Sequence, residues 1–109
     1  MYQYAIEWNS LLEKKKARVQ IGNRAILVCI ADGLPYAIAD KCPHQGYPLS
    51  SGKYDNGIIQ CKEHGLAINV RTGQVVDSPK VAFLKIAAQD RSVRSFPVKT
   101  EDGKVYIDL

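Results

Sequence analysis

Apolar and polar residues alternate with a period of two along most of this chain, as in "ARVQI" from Ala17 to Ile21 and "KVYID" from Lys104 to Asp108. A β-strand turns successive side chains to opposite faces, so this alternation predicts strands with one buried face. Strands are expected at Tyr2 to Glu7, Ala17 to Ile21, Ala25 to Ile30, Tyr36 to Asp40, Ile58 to Gln60, Ala67 to Val70, Gln74 to Val76, Val93 to Val98 and Lys104 to Asp108. Between them stand Gly22-Asn23, Asp32-Gly33, Asn56-Gly57, Arg71-Thr72-Gly73 and Asp102-Gly103, the residue types that tight hairpins use. The pattern is that of an antiparallel all-β domain.

Two stretches depart from it. In "NSLLEKKK", Ser10 followed by Glu13 reads as a capping box and predicts one or two helical turns. In "SPKVAFLKIAAQDR", Ser78 and Pro79 could start a helix, while Val81, Phe83 and Ile86 would serve a strand equally well. We read this second stretch as helix or irregular structure.

The 109 residues form one domain, with no repeat, linker or composition shift to divide them. The longest apolar run, Ala25 to Ala31, is far short of the roughly 20 residues that span a bilayer. With no visible signal peptide or anchor, the chain reads as cytoplasmic, with no membrane partner. Its formal charge is +4, but the one dense basic run is Lys14 to Lys16 with Arg18, and no nucleic-acid motif accompanies it. Nucleic acid is therefore not the expected partner.

The chain has three cysteines, an odd number that argues against a disulfide framework and for metal or redox chemistry. Cys29 lies inside "AILVCIA" and reads as a small core residue. The other two belong to "KCPHQGYPLSSGKYDNGIIQCKEHG", where Cys42 and His44 are followed, sixteen residues on, by Cys61 and His64. Residues i and i+2 of an extended segment face the same way, and a tight bend brings i and i+3 together, so each pair can reach one inorganic centre. Gly46 and Gly65 trail the histidines where a missing side chain lets backbone N–H groups approach a buried anion such as sulfide.

"CPHQG" and "CKEHG", at this separation, resemble the two ligand loops of a Rieske iron-sulfur domain. The similarity continues through "PLSSG", "NVRTGQVV" and the terminal "FPVKTEDGKVYIDL". It implies a fold of stacked antiparallel sheets with a small cluster-binding subdomain, loops at about 40–80, and one short helix. It also implies a [2Fe–2S] cluster with Cys42 and Cys61 on one iron and His44 and His64 on the other. The oxidised centre would then be formally neutral and the reduced centre singly negative. A structural zinc site would take the same donor types, but usually spaces a cysteine pair by two to four residues and a histidine pair by three to five.

The resemblance implies an electron carrier without a substrate-converting site of its own. It would take electrons from a flavin-dependent reductase and pass them to a terminal oxygenase. The alternative is the small subunit of an NAD(P)H nitrite reductase or similar oxidoreductase. The positive charge points to an acidic docking face on the partner. Tyr47 and Glu63 stand where high-potential relatives carry a second disulfide-forming cysteine pair, and Leu66 and Ile68 where they carry a serine and a tyrosine that hydrogen-bond the cluster. These departures imply a low reduction potential. Pro43 is expected to stiffen the first loop, Pro79 to belong to a third, shielding loop, and Lys80 to Ser95 to form a surface insertion.

Overall fold

A computed structural model of the chain describes residues 1–42, 48–62, 66–77 and 92–109. Among them run β1 (Tyr2–Glu7), helix α1 (Trp8–Lys14), β2 (Lys16–Ile21), β3 (Arg24–Ala31) and β4 (Leu34–Ala39). A 3-10 turn (Leu49–Ser51), β5 (Lys53–Asp55), β6 (Ile58–Gln60), β7 (Ala67–Asn69) and β8 (Gln74–Asp77) follow. The last strands are β9 (Ser95–Phe96), β10 (Val98–Glu101) and β11 (Lys104–Asp108).

The strands form three antiparallel sheets, in the orders β1-β11-β10, β2-β3-β4-β9 and β5-β6-β7-β8. Three hairpins turn on Asp32-Gly33, Asn56-Gly57 and Asp102-Gly103, each with both residues at positive φ. That is the type I′ geometry whose twist matches the flanking strands. The expected all-β architecture is therefore the observed one.

Strand β3 organises the packing. Ile26, Leu27, Val28 and Cys29 are all fully buried, so the strand has no solvent face. Ile26 and Val28 pack with Leu11, Ala37, Phe96, Val105 and Ile107 in a basal core. Leu27 and Cys29 pack on the other side with Ile38, Leu49, Ile59, Ile68, Cys42 and Cys61.

The helix forms where expected but not for the expected reason. It is capped by Glu7 without a side-chain hydrogen bond, and Ser10 lies inside it. Its start is fixed instead by Trp8 donating its N–H to the carbonyl of Gly103 at 2.9 Å, and by complete burial of Leu11. Burying one leucine contributes about 2 kcal/mol, more than a typical cap.

The expected strand Val93 to Val98 is two strands on two sheets. Phe96 pairs with Ala37 of β4, whereas Val98 pairs with Ile107 of β11. Pro97 lies between them and has no N–H to continue a ladder. Its carbonyl accepts from the Asp108 N–H at 2.9 Å, so the chain changes sheets there. Strand β5 and the 3-10 turn were not expected from sequence. The stretch Ser78 to Arg91, with Pro79 and most of the expected insertion, lies outside the described residues.

Candidate metal centre

Cys42 comes three residues after β4 ends, and Cys61 directly after β6. Each is 1% exposed, and both belong to the same apolar cluster. Two cysteines nineteen positions apart in sequence are thus brought into one packed body. His44 and His64, with Pro43, Tyr47 and Glu63, lie outside the described residues. None of the three cysteines, all described, is in a disulfide.

The second loop is closed at its base by the Cys61 N–H, which donates to the carbonyl of Leu66 at 2.7 Å. The first is closed by a carboxylate. Asp40, two residues before Cys42, accepts from the Ser50 N–H and from Ser50 Oγ, both at 2.7 Å. It also accepts from Arg18 Nη1 at 2.8 Å, and its side chain has no solvent exposure. Ser50 is held from the other side by Lys16, whose Nζ donates to its carbonyl and, at 2.8 Å, to that of Gly52. Lys16 and Arg18 are i and i+2 on β2, so one strand face supplies both cations.

Gly52 completes the arrangement. A Cβ added there would sit 1.9 Å from the carbonyl oxygen of Gln60, the residue before Cys61. Backbone from the end of the first loop therefore lies directly against backbone at the start of the second. In the sequence Lys16 stood only in a basic run and Ser50 and Gly52 only in "PLSSG", and nothing there tied them to Asp40.

Replacing Asp40 with alanine would leave a part-buried Ser50 N–H and hydroxyl without their carboxylate partner. The expected loss is about 2–3 kcal/mol, with little of it from Arg18, which is 46% exposed and can turn to water. Asp40→Asn keeps an acceptor for Ser50 and should lose about half as much. Urea unfolding of the two variants measures both.

The donor chemistry fits an iron–sulfur centre. Two thiols, walled off from water at the bases of adjoining loops, offer the soft anionic ligands that iron–sulfur clusters use. Cys29 shares their apolar cluster but not that role. Burial pushes its thiol up to about 12, outweighing the attraction of Lys16, so at neutral pH it stays a protonated core residue. That is the structural part the sequence gave reason to expect of it.

The family model of the Rieske [2Fe–2S] domain matches residues 2–97. Human apoptosis-inducing factor 3 is 34% identical over 89 residues, which are 82% of this chain and 13% of that protein. The chain thus spans only a small part of that relative. The ferredoxin component of biphenyl 2,3-dioxygenase from Rhodococcus jostii (strain RHA1) is 33% identical over 92 residues, 84% of this chain and 78% of the ferredoxin. Among solved structures, a chain in the complex of reduced oxygenase and oxidised ferredoxin of carbazole 1,9a-dioxygenase superposes with a TM-score of 0.80 at 27% identity, over 97% of this chain and 91% of that one.

Proposed function

Because this chain belongs to the Rieske [2Fe–2S] domain family, we propose that it is a one-electron carrier, fed by a flavin-dependent reductase and discharging to a terminal oxygenase. The observation that carries this reading is the likeness to a dioxygenase ferredoxin component over most of both chains, 84% of this one and 78% of the other. When bound, the cluster supplies reversible one-electron chemistry and no more.

The ligands in this reading are Cys42 and Cys61 for one iron and His44 and His64 for the other. The chain has two histidines in all. With both committed as ligands, none remains for a histidine base or for an oxygen-activating site of two histidines and a carboxylate. Bond-making is left to the partner. Among the described residues no helix is long and apolar enough to cross a membrane. We assign the carrier to the cytoplasm, a reducing compartment in which Cys29 stays a thiol. The formal +4 leads us to assign an acidic docking face to its partner.

The walls of the site bear on the potential. Leu66 and Ile68, 2% and 0% exposed, are apolar side chains with no donor to offer a charge-accumulating sulfur. Added negative charge is then poorly stabilised, and the midpoint should lie at the low end of the Rieske range, about −150 mV. Redox titration followed by EPR measures it, and a value above about +100 mV would contradict the role given to these two residues.

Dithionite-reduced protein should show a rhombic low-temperature EPR signal with a low average g, and contain iron and acid-labile sulfide in equal amounts. Zinc without sulfide would overturn the proposal.

A further inference from the structure

A surface cleft of about 410 Å³ lies between the start of β3, the end of β4 and β9. Arg18, Arg24, Lys41 and Arg94 line it, around Phe96 and Pro48. Asp40 is the one carboxylate among the described residues that line it, and Arg18 and Ser50 already hold it. Four cations against one committed carboxylate leave a local excess of three positive charges.

The guanidinium carbons of Arg24 and Arg94 stand 5.9 and 5.1 Å from the centroid of the Phe96 ring. Phe96 is itself 8% exposed and anchored in the basal core. A fixed aromatic face therefore gathers two like charges that would otherwise separate. Among the described residues, neither arginine nor Lys41 has a carboxylate partner, since the acids found in ion pairs are Asp32, Asp40, Glu101 and Asp108. Gathered cations of this kind are an incomplete ion-pair network, and a carboxylate placed between them would complete it with forked hydrogen bonds.

The position of the cleft links this charge to the metal centre. Lys41 directly precedes Cys42, and Pro48 follows the loop that carries His44. We propose that this cleft is the docking site for a carboxylate-bearing surface segment of the protein that exchanges electrons with this one. The proposal rests on the electron-carrier reading and gives it a location: the partner's acid seats between Arg24, Arg94 and Lys41, which sets its electron entry point beside the first ligand loop.

Two measurements test it on the holoprotein, using R24E/R94E and the control pair K14E/K99E, which lies outside the cleft. Both pairs bring the formal +4 to zero, the first by losing the Phe96 contacts inside the cleft and the second by losing the Lys99 contacts with Glu101, Tyr2 and Tyr106 outside it. In the first, reduced protein freed of dithionite is mixed with ferricyanide in a stopped-flow instrument. One electron leaves the reduced protein and ferricyanide becomes ferrocyanide. R24E/R94E should slow this by about tenfold at low ionic strength, and the control by about twofold at most. In the second, fluorescence anisotropy follows fluorescein-labelled hexaglutamate binding to oxidised protein. Binding should be lost in R24E/R94E, reduced in K41E and retained in the control.

Should the arginine pair fail to fold, K41E carries the test alone, because Lys41 is exposed and makes no cation–π contact. Equal losses in the two double variants would overturn the proposal in favour of net charge. So would hexaglutamate binding that ignores the cleft, or preferential binding of an RNA oligonucleotide. Protein that fails to reduce ferricyanide but still binds hexaglutamate through the cleft would sink the carrier reading and leave the acidic-segment site standing.

Discussion

Cys61→Ser protein is expected to emerge colourless, with neither iron nor sulfide retained. The cysteine follows β6 directly and sits in a loop closed by its own N–H on Leu66, so the backbone cannot easily present a substitute donor. Serine is not ionised at neutral pH and offers a hard, weak ligand where iron needs a thiolate. The new hydroxyl would also be buried among leucine and isoleucine side chains, at a cost of about 1–2 kcal/mol. Cys42→Ser should behave in the same way. The informative control is Cys29→Ala, which removes a thiol from the same apolar cluster and should keep iron and sulfide in full. Metal and sulfide analysis of the three variants is decisive: a full complement in Cys61→Ser, or its loss in Cys29→Ala, would reverse the assignment of ligand and core residue.

Gly52→Ala should be strongly destabilising, because the added methyl has no room between two backbone segments. The new Cβ meets the Gln60 oxygen at 1.9 Å and its carbonyl carbon at 2.9 Å, and both are backbone atoms. No rotamer relieves such a clash, so either β5 and β6 separate or the 3-10 turn lifts from the sheet. A loss of about 3 kcal/mol is expected, at the upper end for overpacking. Gly22→Ala makes a useful contrast. Its φ of +59° is strained for alanine, but nothing lies within 4 Å of the added carbon. It should cost only about 1 kcal/mol. Urea denaturation with a common m-value separates the two. Because Gln60 adjoins Cys61, the Gly52 variant should also broaden the EPR lines of whatever folded protein remains, which Gly22→Ala should not.

The elements legible in the sequence are strands with an alternating or continuous apolar pattern, β3 among the latter. Strands β1, β6 and β11 lie where alternation placed them, and the three two-residue hairpins turn where Asp-Gly and Asn-Gly stand. Strand β5 escaped because "KYD" contains a single inward residue, Tyr54, whose hydroxyl bonds the Ile30 carbonyl at 2.6 Å rather than completing a pattern. The break at Pro97 was written in the chain, yet apolar residues on both sides outweighed it. Ser10 misled because capping is a local preference, whereas Leu11 and Trp8 are fixed by contacts distant in sequence. At the site, the sequence marked Cys42 and Cys61 by their spacing, and both lie in one apolar cluster. The Asp40–Ser50 closure was not so marked, since ten residues separate its partners and no periodicity relates them.

The two-sided burial of β3 has a mechanical consequence. A wall shared by two rooms cannot be taken down from one side only. If the apolar packing around the cysteines comes apart, Leu27 and Cys29 are bared, and the strand that holds Ile26 and Val28 in the opposite core loses its backing. The metal-binding half and the basal half are therefore expected to melt as a single cooperative unit rather than as two subdomains.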